Sequence, residues 1–173
     1  LIGFGIAIVA LLWFFMDRVG KGKIESIRRL PIIDAIDEAI DRSTEQGRPV
    51  LMTYGPNDNL SPPGLVGLDA VYYVAQKTAE AGTELYIPVS GPRTLPIALE
   101  NYRMGCLKAG APELFKETNV RYMGRGQFSY TSGIMGLMES HKPGACIFLG
   151  PFLVEGVHLG VQKQRIDTMG IAG

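Results

Sequence analysis

Residues suited to holding an anion recur where glycine meets arginine. The stretches Ser90-Gly91-Pro92-Arg93-Thr94 and Gly124-Arg125-Gly126 each set a guanidinium beside glycine backbone, just before a predicted helix. A guanidinium offers planar paired donors, and free amides at a helix start add partial positive charge, so together they suit phosphate or carboxylate. Two further turns, Tyr54-Gly55-Pro56-Asn57-Asp58 and Gly150-Pro151-Phe152, follow apolar runs in the same way. The candidate ligand-binding residues are therefore Gly55, Gly91, Arg93, Thr94, Gly124, Arg125, Gly126 and Gly150. The dinucleotide pattern is incomplete: Ser129 stands where the third glycine belongs, and no acidic residue follows at the spacing a ribose would need. Glycine at a strand-to-helix turn also has a purely geometric reason to be there.

Other chemistries find less support. There is no G-x-S-x-G and no P-loop, and His141 and His158 are placed too far apart in the expected elements to cooperate. His141, beside Lys142, suits the C-terminal end of a helix dipole, while His158 suits a surface or interface. Asp58, Asp69 and Glu155 could act as bases or hold Mg²⁺ but share no fixed spacing. Cys106 and Cys146 belong to neither a CxxC pair nor a zinc-spaced cluster, and their apolar surroundings predict buried free thiols in a reducing compartment. No catalytic residue, metal ligand or cofactor is assigned. Lysine plus arginine and aspartate plus glutamate are equal at 17 each, so no overall field draws the chain to nucleic acid.

The elements that would position the glycine loops can be read in order. Pro31 opens an amphipathic helix, with Ile32, Ile33, Ile36, Ala39 and Ile40 on one face and Asp34, Asp37, Glu38 and Asp41 on the other, ended by Gly47. Strands are predicted at 49–54, 85–90, 120–123 and 145–149, and helices from Ser61-Pro62 to Gly82, from Pro96 to Ala109, and from Gly126 toward Pro143. Pro112 starts a short helical turn, and a helix is expected to begin after Pro151. Pro88 removes a ladder donor and predicts an edge position or a bulge for the second strand. The tail from Arg165 to Gly173 reads either as a fifth strand or as the approach to a further apolar span. Around Gly133, Met135, Gly136 and Met138, small and flexible residues suit tight packing on the sheet, or alternatively a subunit contact. Strands alternating with helices imply right-handed crossovers, hence an α/β domain with a mostly parallel sheet, Rossmann-like or flavodoxin-like, with helices on both faces. Its ligand crevice would lie beyond the carboxyl ends of the strands.

Ahead of this domain, Leu1 to Met16 carry no charge and no proline. A bilayer core needs about 20 apolar residues in a helix. The expectation is one transmembrane anchor over 1–16, a basic juxtamembrane neck over 17–30 and a cytoplasmic domain over 31–173. A cleaved signal peptide would carry a small-residue cleavage site, which Asp17-Arg18 does not supply. Arg18, Lys21, Lys23, Arg28 and Arg29 predict that the C-terminal flank stays cytoplasmic and the N-terminus outside, with contact to anionic lipid.

The segments RRLPIIDAIDEAIDRSTEQGRPVLMTYG and GACIFLGPFLVEGVHLG resemble an uncharacterised group of prokaryotic membrane-anchored α/β domains of unknown function. That resemblance implies membrane attachment and assigns no functional residue. Taken together, the expected role is a non-catalytic scaffold or accessory subunit of a membrane assembly, a homo-oligomer or bound to other membrane subunits. The alternatives are a tethered sensor of a nucleotide or small anion and an enzyme using the same crevice.

Overall fold

Three of the five strands lie in the interior because nearly every residue in them is apolar, the pattern of a sheet covered on both faces. The computed structural model describes residues 2–20, 30–56 and 62–173. It divides into two compact units, Leu1–Leu30 and Pro31–Gly173.

The first unit holds α1 (Ile2–Gly20). Its apolar side chains, Phe4, Ile6, Val9, Leu11, Trp13, Phe15 and Met16 among them, are exposed around the whole helix. No helix among the described residues is long and apolar enough to cross a membrane. At 1.5 Å per residue the uncharged run Ile2–Met16 measures about 22 Å, short of the roughly 30 Å of a hydrocarbon core. The expected span is therefore a helix, but one below that length. Lys21, Lys23, Arg28 and Arg29 of the expected neck lie outside the described residues, as does the side chain of Arg18.

The second unit runs α2 (Pro31–Glu45), β1 (Val50–Thr53), α3 (Pro62–Glu80), β2 (Leu85–Val89), α4 (Leu95–Lys108), two single 3₁₀ turns, β3 (Val120–Tyr122), α5 (Gln127–His141), β4 (Ala145–Phe148), α6 (Val154–Arg165) and β5 (Met169–Ala172). The ambiguous tail is thus a fifth strand. All neighbours are parallel and the order is β3-β2-β1-β4-β5, the Rossmann arrangement and not the flavodoxin one. Side chains alternate across the sheet as the strand period requires. Val50, Met52, Ala145 and Ile147 pack with α2, α3 and α4, whereas Leu51, Cys146 and Phe148 pack with Ile134, Leu137 and Met138 of α5 and Leu159 of α6. Each fully buried side chain of this size is worth about 1.5–3 kcal/mol, so the two layers carry the stability.

Pro88 corrects one expectation. β2 lies between β3 and β1, with neighbours on both sides, so the proline marks neither an edge nor a bulge. The β1–β2 register runs Val50↔Leu85 and Leu51↔Tyr86 and goes no further, so the missing N–H falls where those two strands have already parted. At the opposite ends of the strands, Arg48 ties the domain together. Its Nε donates to Lys142 O (2.7 Å), and its two terminal nitrogens reach Asp167 O and Ile166 O (3.3 Å each), just past the ends of α5 and α6.

Candidate functional site

Parallel strands bring the exits of β1, β2, β3 and β4 to one rim, where α4, α5 and α6 also begin. The sheet order puts the topological switch point between β1 and β4, since the chain leaves them toward opposite edges. A ligand crevice would be looked for there. What occupies the place is backbone from the two exits themselves.

Gly150 has φ +134°, and a Cβ on it would sit 2.4 Å from Tyr54 O. Gly55 has φ +85°, and its Cβ would lie 3.2 Å from Pro151 O. Gly67, in the second turn of α3, brings that helix against Tyr54 Cβ (2.6 Å from the position a side chain would take) and Leu149 O. These glycines let chain approach chain, and the loops after β1 and β4 are packed on one another. Asn57, Asp58 and Ser61, expected in the same loop, lie outside the described residues.

The loops after β2 and β3 are more open. Gly91 is buried and its carbonyl accepts from Thr94 Oγ1 (3.1 Å) and from Leu95 N–H (3.1 Å), so the hydroxyl of Thr94 closes its own turn. Thr94 is 1% exposed, and its hydroxyl does not face a bound molecule from outside. Gly124 has φ +101° and packs under Ser129, whose Oγ donates to Gly126 O (2.8 Å). Gly126 takes ordinary extended backbone before α5. Arg93 and Arg125 are both exposed, on the exits of neighbouring strands. The eight sequence-derived residues therefore split: Gly55 and Gly150 meet at the switch point, Gly91 and Thr94 shape one turn, Gly124 and Gly126 shape the next, and only the two arginines present functional groups outward.

Beneath the rim, sequence reasoning missed a polar pair. The hydroxyls of Thr53, at the end of β1, and Tyr130, on α5, are hydrogen-bonded to each other, and both residues are fully buried. Burial pushes the phenol of Tyr130 well above its ordinary value, so it stays protonated. Beside the rim, a cavity of about 240 Å³ between α5 and α6 is lined by Gln127, Phe128, Thr131, Ser132, Glu155 and His158, among others. Glu155, only 2% exposed, accepts from the Leu153 N–H (2.9 Å) at the start of α6. Burial alone would raise its carboxyl, but hydrogen bonds from the Gln127 side chain and from the backbone N–H groups of Glu155 and Leu153 outweigh that and hold it below the usual range. It is a carboxylate committed to a helix start. His158 lies with Nδ1 3.1 Å from Val154 O on its own helix, and Asp69 is exposed on α3. His141 ends α5 and packs against Tyr86, ring centres 4.3 Å apart and planes tilted by 50°. Among the described residues no group of three or more His, Cys, Asp or Glu side chains comes together as a metal site. Cys106 and Cys146 are free and buried, and burial pushes the Cys146 thiol up to about 12.

An all-parallel sheet of this strand order, covered by helices and with the loops after β1 and β4 packed on one another at the switch point, defines an α/β domain of Rossmann topology. The chain belongs to the family DUF6754, a domain of unknown function, which it matches over residues 1–173. No curated protein and no solved structure matches it.

Proposed function

We propose that the chain is a membrane-attached, non-catalytic scaffold or accessory subunit, held at the bilayer by α1 and presenting Pro31–Gly173 on the cytoplasmic side. The observation that carries this reading is the exposure of α1: Phe4, Ile6, Val9, Leu12, Trp13, Phe14 and Met16 cover every side of the helix. An amphipathic surface helix has one polar face; a helix apolar all round needs apolar surroundings on all sides. Its shortness relative to a bilayer is met by local thinning, by flanking basic side chains reaching the headgroups, or by association of helices. The basic residues that follow it in sequence support the cytoplasmic placement. The rim is consistent with a supporting role, since its glycines serve contact between loops.

Alkaline carbonate extraction of membranes carrying the full chain tests the attachment. The chain is expected in the membrane pellet and in the detergent extract, with Ile8→Asp combined with Leu12→Asp releasing it. Recovery of the unaltered chain in the carbonate supernatant would remove the reading.

One observation favours a second reading, a sensor of a nucleotide or small anion. Arg93 and Arg125 stand exposed on the exits of β2 and β3, which are adjacent strands about 4.8 Å apart. Two guanidiniums on adjoining loops form the sort of clamp that anions bind.

A further inference from the structure

The cavity between α5 and α6 is one-sided in its hydrogen-bonding groups, which shows when each donor is followed to its partner. Thr131 donates its hydroxyl to Gln127 O (2.7 Å), one turn earlier on α5, which leaves Oγ1 with lone pairs only. The Gln127 side chain hydrogen-bonds the Glu155 carboxylate. A carboxylate only accepts, so the amide NH₂ faces it and Oε1 is left as an acceptor. His158 Nδ1 lies 3.1 Å from Val154 O. A carbonyl also only accepts, so Nδ1 carries the proton and Nε2 of the neutral ring is an acceptor. Glu155, 2% exposed, takes hydrogen bonds from the side chain of Gln127 and from the backbone N–H groups of Leu153 and Glu155. That fills three of the roughly four lone-pair positions of a carboxylate. Gln127, Thr131, Glu155 and His158 all line the cavity, together with the hydroxyl-bearing Ser132 and with apolar wall from Met135 and Val154. No lysine or arginine is among the described residues that line it. The donors are spent within the protein, and the lining presents acceptors around a single negative charge.

We propose that this cavity binds a small primary alkylammonium, held by acceptors of the lining, His158 Nε2 and Gln127 Oε1 among them, with the Glu155 carboxylate as its counter-charge. Three N–H donors on one positive charge match a lining of acceptors that carries one negative charge. An anion would meet a single hydroxyl donor, at Ser132, and the repulsion of Glu155. A neutral apolar molecule would strip water from the acceptors and return nothing to them. Phe128, 79% exposed where it lines the cavity, adds an aromatic ring of the kind that attracts cations. The burial of Glu155 also matters, because a buried charge is screened by salt far less than an exposed one. A volume of about 240 Å³ is the liquid share of roughly eight waters, which suits an alkylammonium of about five to eight non-hydrogen atoms. The site uses no residue of α1 and neither rim arginine, so it stands apart from the membrane attachment and from the anion reading.

The test uses the full chain in a maltoside detergent at mildly alkaline pH, titrated with n-butylammonium chloride. Binding is followed by NMR at the side-chain carboxyl carbon of Glu155 and at the ring nitrogens of His158. Saturable shifts at both are expected, with a dissociation constant on the order of 1 mM for so small a ligand. Tetramethylammonium, which has the charge and no N–H, should bind at least tenfold more weakly, and n-butanol and butyrate should leave both signals in place. Glu155→Gln, read at His158, should weaken binding at least tenfold. His158→Leu, at an exposed position on α6, and read at Glu155, should weaken it severalfold without the change in stability that Glu155→Gln brings. Absence of any saturable shift overturns the proposal. So does equal binding of tetramethylammonium or n-butanol, which would make the cavity a merely apolar recess, or displacement of the ammonium by Zn²⁺ or Mg²⁺ chloride at lower concentration, which would make it a metal site. A shift that Glu155→Gln and His158→Leu both leave unaltered overturns it as well, whatever carbonate extraction shows.

Discussion

The hydroxyl of Tyr130 on α5 is hydrogen-bonded to the hydroxyl of Thr53 at the end of β1, beneath the loops that form the rim. Thr53 Oγ1 also lies 3.5 Å from Pro88 O, too long to replace that bond. The pair therefore holds α5 to the place where β1 and β2 separate. Tyr130→Phe leaves Thr53 without a good partner in a fully buried position and is expected to cost about 1–2 kcal/mol. Thr53→Val should cost a similar amount, and the double variant less than the two together, because removing both polar groups leaves neither unsatisfied. Urea denaturation of the four proteins gives the coupling directly.

Two glycines should respond in opposite senses to the same substitution. Gly150→Ala forces a Cβ onto Tyr54 O at 2.4 Å from a backbone with φ +134°, and neither can shift without separating β1 from β4. The loss should be about 3 kcal/mol or more. Gly136, exposed in α5, has nothing within 4 Å of that position, so Gly136→Ala should gain up to about 1 kcal/mol from helix propensity. Thermal melts separate the two outcomes. The contrast also resolves the small-residue stretch: Gly133 packs on Met123 and Ile134, Leu137 and Met138 are buried, while Gly136 faces outward.

Why Gly55 and Gly150 were legible as turns and not as partners is a matter of range. The apolar runs 50–53 and 145–148 announce buried strands, and the Gly-Pro after each announces an exit, because both signals are local. That β1 and β4 are neighbours depends on how α3 and α5 cross the sheet, and no residue near Gly150 encodes it. Pro88 misled for the same reason: its missing donor is local, but whether a partner waits for it depends on where β1 diverges. Tyr130 gave no signal beyond an aromatic in a helix. The arginines, by contrast, were placed correctly on the exits of β2 and β3, since an exposed side chain on a loop answers only to its own strand.

Arg48 binds the carbonyls that end α5 and follow α6, three hydrogen bonds from one guanidinium to chain segments far apart in sequence. The fork geometry matters more than the charge, and lysine cannot reproduce it. Arg48→Lys is expected to lose about 1–2 kcal/mol, most of what Arg48→Ala loses. Hydrogen exchange should show faster opening at the C-terminal turns of α5 and α6 with the rest of the sheet unchanged.

Glu155 gives the domain an acid-sensitive contribution. Its carboxyl is held below the usual range by Gln127 and by the backbone N–H groups at the start of α6, in spite of burial. A carboxyl whose value is lower folded than unfolded stabilises fully above the unfolded value, about 4.3, and that contribution disappears as pH falls through the folded value. Glu155→Gln should cost about 1 kcal/mol near neutral pH, as the loss of a helix-start acceptor does, and progressively less toward pH 3. Gln127→Ala should move the Glu155 carboxyl back up, which a proton-detected titration of its side-chain carbon reads. Parallel curves for wild type and Glu155→Gln across the acid range would show that the group does not change its affinity for protons on folding.

The two arginines at the rim decide between a supporting domain and an anion sensor. If Arg93 and Arg125 act as a clamp, phosphate, pyrophosphate or a nucleoside diphosphate at a hundred times its dissociation constant stabilises the folded chain by about 2.7 kcal/mol. In a domain of this size that is a shift of several degrees in melting temperature. Arg93→Ala and Arg125→Ala should each abolish it, whereas Arg103→Ala, whose guanidinium is paired with Glu100 on the outside of α4, should not. The packed switch point closes the crevice between β1 and β4, so a ligand on these two arginines would rest on the outer rim after β2 and β3 without that crevice to enclose it. A flat response to the whole panel is therefore expected, and a shift that both rim variants remove would turn the assignment from scaffold to sensor.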